Sequence, residues 1–231
     1  PGRNLKGVLR MQGTWLDKAR AHYAAGDYDK AVEACTEALK ADPDNVLVLT
    51  RRGLAYIRLH NFDAAIQDFD RAIELNTRDA AIYFNRGNAH YAGRSDYRQA
   101  ITDYSKAIEL DPRDTASHYN RGLAYMKTHS FQEAIHDFGK VIALHPYHVN
   151  ARVNRGEAFR KIGAYDQAMR DFDIAIKLEP ENATAYLERG NLYAQLGDAR
   201  RAARDLQTGE RKKVYEERLH HGGVDEIECG N

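Results

Sequence analysis

Three asparagines recur at a fixed spacing in the middle of this 231-residue chain: Asn85, Asn120 and Asn154 are separated by 35 and 34 residues. An asparagine side chain offers one carbonyl acceptor and two N–H donors, so a row of them can bind a peptide main chain whatever its sequence. On a stack of parallel helices, such a row would lie along one face. The spacing therefore predicts a binding surface for an extended peptide. The alternative is that these amides cap or brace neighbouring helices.

Other candidate ligand-binding residues lie next to the three asparagines. We expect five of them to form apolar pockets for ligand side chains: Thr50, Phe84, Tyr119, Val153 and Leu187. Two further amides, Asn88 and Asn191, complete the predicted peptide-binding set.

A series of opposite charges runs through the chain. It consists of Arg52, Arg86, Arg121, Arg155 and Arg189, each followed sixteen or seventeen residues later by Asp68, Asp103, Asp137, Asp171 or Asp205. Because the pairing repeats along the whole chain, we expect structural salt bridges between helices. The alternative is that the arginines reach an acidic ligand.

Catalytic and metal-binding patterns are not found. Five histidines cluster between residues 118 and 148, but only His145 and His148 are close in sequence, and a zinc site needs three or four converging ligands. No nucleophile elbow, phosphate-cradling glycine loop or zincin helix occurs. The sequence therefore predicts a protein without enzymatic activity, metal or cofactor.

The elements that must position these residues follow from periodicity. Glycine recurs at 53, 87, 122, 156 and 190, and proline at 43, 112, 146 and 180. A period near 34 residues indicates a stack of similar helical units. Six units are predicted, at 12–45, 46–79, 80–114, 115–148, 149–182 and 183–210, each with two helices. The prolines should end the second helices, because proline cannot continue the hydrogen-bond ladder.

The phased glycine calls for a packing reason, since glycine within a helix costs about 1 kcal/mol relative to alanine. We expect Gly122 and Ala134 to mark the place where the two helices of a unit cross, with aromatic side chains filling the core around them. The third unit holds one residue more than the others. We expect a longer turn there; the alternative is a bulge in its first helix.

The segment Asn120-Arg121-Gly122-Leu123-Ala124-Tyr125, followed by Phe131, Ala134, Phe138 and Pro146, resembles the tetratricopeptide repeat signature, and the resemblance extends from about Gln12 to Gly209. It implies an all-α fold: a right-handed superhelical solenoid of about six helix-turn-helix repeats with a C-terminal capping helix. Members mostly bind peptides or organise protein complexes along a concave groove formed by their first helices. Similar asparagine ladders occur in members that hold extended peptides.

Two narrower family functions fit less well. Members that hold the C-terminal tail of chaperones use a constellation of lysine, asparagine and arginine, whereas Phe84, Ala116 and Asn154 surround Asn120 here. A chaperone tail is therefore not the expected partner. The RNA-binding pentatricopeptide pattern also fits worse, because glycine, alanine and proline occupy tetratricopeptide positions.

The two ends differ from the repeats. Residues 1–11 form a predicted N-terminal extension, and residues 211–231 a helical extension with a frayed tail. The sixth unit carries Ala199 and Gly209 in place of the usual aromatic and alanine, as a capping repeat would. The basic run at Arg211, Lys212 and Lys213 allows an alternative function in nucleic-acid or acidic-surface binding.

Composition limits the remaining possibilities. The formal net charge is zero, so global charge favours neither nucleic acid nor membrane, and no stretch is apolar enough to span a bilayer. Cys35 and Cys229 are too far apart in a stacked array to pair, which favours the cytoplasm. Because the chain begins with Pro1, we expect it to be a processed piece of a longer protein. Export of such a processed chain is the alternative to a cytoplasmic location. The predicted function is a protein-binding scaffold. The alternative is an adaptor that assembles with copies of itself into a homo-oligomer.

Overall fold

The structure, a computed structural model, describes residues 5–219 except Thr77, and describes side chains only between Trp15 and Tyr215. Twelve helices and no strands occur in this part of the chain. The helices are α1 (Leu5–Ala24), α2 (Tyr28–Ala41), α3 (Val46–Arg58), α4 (Phe62–Leu75), α5 (Ala80–Gly93), α6 (Tyr97–Leu110), α7 (Thr115–Lys127), α8 (Phe131–Leu144), α9 (Val149–Lys161), α10 (Tyr165–Leu178), α11 (Ala183–Gln195) and α12 (Ala199–Leu219). The predicted all-α class of helix-turn-helix repeats is confirmed.

The chain divides into two compact units, residues 1–112 and 113–231, which we call the N-terminal and C-terminal units. We call each predicted repeat of two consecutive helices, from α1–α2 to α11–α12, a hairpin. Within the N-terminal and C-terminal units, the two helices of a hairpin pack on each other, and the second helix also packs on the first helix of the next hairpin. First helices touch as well: α3 contacts α1 and α5 in the N-terminal unit, and α9 contacts α7 and α11 in the C-terminal unit. The helices α7, α9 and α11 therefore form a continuous surface.

Side-chain caps and prolines set the helix boundaries. Asn45, Asp79, Asp114 and Asn182 each accept a hydrogen bond from a backbone N–H in the first turn of the helix that follows, which satisfies a donor that the helix itself cannot pair. Four second helices end two residues before a proline, at Ala41, Leu110, Leu144 and Leu178. The predicted helix ends are confirmed at all four prolines, and α4 ends at the equivalent residue, Leu75, although the sequence has threonine at the proline position.

Close helix approach explains the phased glycines. A Cβ atom placed on Gly122 would lie 2.7 Å from the ring of Phe138, and one on Gly156 would lie 2.6 Å from the ring of Phe172. Equivalent contacts join Gly53 to Phe69 and Gly87 to Tyr104. The close approach predicted from the sequence is confirmed, but the partner of these four glycines is the aromatic ring of the second helix. A Cβ on Gly190 would instead lie 2.9 Å from Cγ of Leu206.

The expected longer turn in the third hairpin is wrong. Three residues, Arg94 to Asp96, connect α5 to α6, and three residues likewise connect α3 to α4. Instead α5 has 14 residues where α3 has 13. Its last residue is Gly93, where a Cβ would lie 2.3 Å from the Cβ of Phe62 on α4. The extra residue therefore extends the helix, because glycine fits against this neighbour without a clash.

The last hairpin carries an alanine and a glutamate where inner hairpins carry larger apolar residues. Ile135 and Ile142 of α8 belong to a cluster that includes Ala151 of α9. The corresponding residues of α12, Ala203 and Glu210, are exposed. Such substitutions allow the last repeat of an array to face solvent.

Helix α12 continues to Leu219, and the predicted frayed tail lies outside the described residues. Helix α1 is continuous across the predicted boundary at residue 12.

Replacement of glycine by alanine should have opposite effects at two nearby positions. Gly122→Ala should lower the free energy of unfolding, because overpacking against Phe138 costs about 1–3 kcal/mol and exceeds the gain in helix propensity. Gly139→Ala should raise it by about 1 kcal/mol, since the nearest atom to a Cβ there is 3.7 Å away, on the flexible side chain of Arg155. Urea unfolding followed by circular dichroism measures both, and equal effects at the two sites would contradict the packing account.

Candidate peptide-binding surface

The charged series forms the predicted salt bridges within hairpins. Arg121 donates from Nε and Nη2 to the two carboxylate oxygens of Asp137 at 2.7 and 2.8 Å, and Arg155 binds Asp171 at the same two distances. The pairs Arg52–Asp68 and Arg86–Asp103 are equivalent, and Arg189 binds Asp205 through Nε at 2.7 Å. The structural interpretation is confirmed.

A histidine joins one of these pairs. The Nδ1 atom of His118 lies 3.1 Å from Oδ1 of Asp137, whose side chain is 1% exposed. Burial by itself would raise the pKa of Asp137, but hydrogen bonds from Arg121 and His118 together outweigh it and lower this pKa below its ordinary value. Within the described part of the chain, no three His, Cys, Asp or Glu side chains are placed to hold a metal ion.

In the N-terminal unit, the candidate residues are mostly buried. Asn85 is 5% exposed, and its amide oxygen has no hydrogen-bond partner among the described residues. Asn88 accepts a 2.8 Å hydrogen bond from the hydroxyl of Tyr104, the residue that replaces the phenylalanine of other hairpins. Phe84 is buried against the Tyr104 ring, with ring centroids 5.9 Å apart. The hydroxyl of Thr50 donates to the carbonyl of Val46 at 2.8 Å.

In the C-terminal unit, two candidates from neighbouring first helices meet. Nδ2 of Asn154 on α9 donates to the hydroxyl of Tyr119 on α7 at 3.0 Å, and both side chains are half-buried. The Tyr119 ring packs on the rings of Phe138 and His148, with centroids 5.7 and 5.1 Å apart. The oxygen Oδ1 of Asn154 makes no hydrogen bond with any described residue. This amide is therefore held in place and still has an acceptor to offer.

The other candidates of the C-terminal unit differ in exposure. Asn120 is 3% exposed, and Val153 is buried in the core cluster that contains Phe172. Leu187 is half-buried, and Asn191 is exposed on α11. Exposure thus separates two groups: Asn154, Tyr119, Leu187 and Asn191 keep surface that a ligand could touch, whereas Val153 packs inside.

Sequence reasoning missed the charged residues on the same face. Nη2 of Arg160 on α9 donates to Oε2 of Glu188 on α11 at 3.0 Å, with 16% and 19% of the two side chains exposed. Glu157 lies between Asn154 and Arg160 on α9, three residues from each. Because residues three apart share a helix face, this spacing would have identified both charges from the sequence.

A small cavity in the N-terminal unit has a different character. It measures about 60 Å³ and is lined by Ala19, Tyr23, Ala31, Cys35, Arg51 and Leu54. Burial raises the pKa of the Cys35 thiol to about 11, so the thiol is protonated at neutral pH and is a poor nucleophile. No helix among the described residues is both long and apolar enough to cross a membrane.

Comparison with known proteins gives consistent matches. Two family models described as "Tetratricopeptide repeat" match residues 16–80, 50–95 and 115–148, and one described as "TPR repeat" matches residues 94–128 and 156–197. RNA polymerase II-associated protein 3 of Xenopus laevis is 38% identical over 76 residues, which are 33% of this chain and only 12% of that protein.

Two solved structures extend the likeness to most of the chain. The crystal structure of MamA protein superposes with a TM-score of 0.70 at 28% identity, covering 75% of this chain and 94% of that one. A tetratricopeptide repeat protein from Parabacteroides merdae superposes with a TM-score of 0.76 at 25% identity, covering 90% of this chain and 80% of that one.

Removal of one buried carboxylate should reveal a pH-dependent contribution to stability. Asp137→Asn should lower the free energy of unfolding at pH 7 by about 3–5 kcal/mol, because it leaves the charge of Arg121 buried and uncompensated. Since the folded-state pKa of Asp137 is lowered, this stabilisation is present above the ordinary aspartate pKa and is lost as the pH falls through the lower folded value.

Urea titrations at several pH values between 7 and 3 measure the difference between wild type and variant. It should shrink below about pH 4. The matched control is Asp44→Asn, since the Asp44–Arg71 pair is largely exposed, and it should leave the midpoint unchanged. A difference between Asp137→Asn and wild type that is independent of pH would contradict the assignment.

Proposed function

The chain belongs to the tetratricopeptide repeat family, and we propose that it is a non-catalytic scaffold that binds an extended segment of a partner protein along its first helices. The observation that carries this proposal is the Asn154–Tyr119 pair. The tyrosine hydroxyl fixes the orientation of the amide, and Oδ1 of Asn154 is left to accept an N–H of a bound main chain. A preoriented acceptor loses little entropy on binding.

Asn85 supports the same role in the N-terminal unit. Its amide oxygen is buried and makes no hydrogen bond, a situation that costs about 1–3 kcal/mol. After rotation of the side chain, a ligand N–H would supply the missing partner. We propose that Asn120 acts with Asn154 in the C-terminal unit, and that Tyr119, Leu187 and Asn191 of the same unit contact ligand side chains. Thr50, Phe84, Asn88 and Val153 support this surface from within.

The alternative functions have less support. Stacking of copies through the C-terminal end would have to cover the charge of Glu210, which is exposed on α12 together with the apolar side chains of Val214 and Tyr215. The basic run of α12 is partly neutralised, because Lys212 binds Glu181 at 2.8 Å. We therefore propose a protein or peptide partner rather than a nucleic acid, and a reducing compartment such as the cytoplasm, in which the buried free thiol of Cys35 would persist.

Loss of the amides should weaken peptide binding. Binding peptides would first be found on an array of extended segments, and their affinities measured by fluorescence anisotropy. Asn154→Ala should weaken binding about tenfold, since it removes a hydrogen bond worth about 1 kcal/mol and disturbs Tyr119. Replacement of Asn85, Asn120 and Asn154 together should abolish it.

The matched control is Gln132→Ala, which removes an exposed amide from α8, a second helix. It should leave affinity unchanged. Circular dichroism would establish that each variant is folded. Peptide affinity that survives loss of all three asparagines in a folded protein would overturn the proposal.

A further inference from the structure

Glu157 is a carboxylate that the fold does not use. It is half-buried on α9, and it makes neither a hydrogen bond nor an ion pair with any described residue. Its neighbours differ: Arg160 is paired with Glu188, and Arg155 with Asp171. Because a carboxylate loses hydration when it is buried, an unpaired one destabilises the folded chain.

All three first helices of the C-terminal unit contribute charge around Glu157. Lys127 belongs to α7, Arg160 and Lys161 to α9, and Glu188 to α11. Burial raises the pKa of Glu157, the negative charge of Glu188 raises it further, and the three cations act in the opposite direction without cancelling the effect. A half-buried carboxylate whose pKa is shifted, on a proposed binding surface, is a candidate functional group.

The position of Glu157 relative to Asn154 suggests what it binds. Three residues along a helix correspond to a rise of about 4.5 Å, so the carboxylate lies one turn beyond the free amide oxygen on the same face. A ligand residue whose N–H binds Asn154 could therefore extend a side chain to Glu157. A metal ion fits less well, since Glu188 is already bound to Arg160.

We propose that Glu157 selects the ligand: partner segments bound on α7, α9 and α11 place a lysine or arginine side chain against this carboxylate, next to Asn154. The inference rests on the proposed peptide-binding function and adds the charge class of the partner. The ligand cation supplies the ion pair that the folded chain lacks. Charge-assisted hydrogen bonds of this kind are among the stronger polar contacts.

Selection from a random library of 12-residue peptides displayed on phage tests the proposal with wild-type protein, Glu157→Gln and Glu133→Gln. The last is the matched control, because Glu133 is exposed on α8, a second helix. Peptides selected by wild type and by the control should be enriched in lysine or arginine at one position. Peptides selected by Glu157→Gln should lack this enrichment.

A double-mutant cycle gives the magnitude. Replacement of the selected lysine by norleucine should weaken binding to wild type about tenfold, as expected for a hydrogen-bonded pair with a charged group, and should leave binding to Glu157→Gln unchanged. Norleucine keeps the whole carbon stem of lysine and lacks only the ammonium group, so the difference reports the charge.

Stability supplies a second readout. Since the folded-state pKa of Glu157 is raised, its penalty is present above the raised value and disappears as the pH falls through that value to below the ordinary one. Glu157→Gln should therefore raise the urea midpoint at pH 7 and have no effect at pH 4. A carboxylate with a structural role would instead lower the midpoint when replaced.

The outcomes separate the two proposals. Asn154-dependent peptides without a basic preference, or with an acidic one, would overturn the inference about Glu157 and leave the peptide-binding function standing. The same holds if Glu157→Gln keeps the basic preference of wild type. Absence of any Asn154-dependent peptide would overturn the peptide-binding function, and the role of Glu157 with it.

Discussion

The packing of a glycine of the first helix against an aromatic ring of the second, repeated in the four hairpins from α3–α4 to α9–α10, is the constraint on which the remaining structure depends. Gly122 lets α7 approach α8 so closely that the Phe138 ring lies over its backbone. The preceding residue of each helix, Arg121 and Asp137, then meets its partner in a bidentate ion pair. One approach distance therefore fixes an apolar and a polar contact at once, and the chain repeats both in successive hairpins.

This arrangement divides the residues of a first helix between two tasks. The side that faces the second helix is fully used by glycine, arginine and buried alanine. The outer side of α7, α9 and α11 is free of that demand, and there a residue such as Glu157 has no glutamate counterpart in the other hairpins. The amide of Asn154 and the carboxylate of Glu157 lie on this side. The Asn154 amide braces α9 against α7 through Tyr119 but leaves its oxygen over, and the Glu157 carboxylate has no partner among the described residues, which is why both are proposed to serve a ligand.

Periodicity predicted the contacts that repeat and missed those that do not. Helix ends at the prolines, the close approach at Gly122 and the Arg–Asp pairs all follow from phase. The depth of Phe84 and Val153, the bond between Tyr104 and Asn88, and the extension of α5 by Gly93 depend on how individual helices are rotated and what they touch. Glu157 was not predicted, because periodicity identifies only residues that recur and no other hairpin has a glutamate at this position.

Side-chain amide resonances offer the most direct test that the first helices bind the partner. In a ¹⁵N-labelled protein titrated with a selected peptide, the signals of the Asn154 side chain should shift, because its oxygen accepts a new hydrogen bond. The signals of Gln132, on a second helix, should stay in place. Shifts confined to second helices or to α12, with Asn154 unperturbed at saturation, would contradict the account.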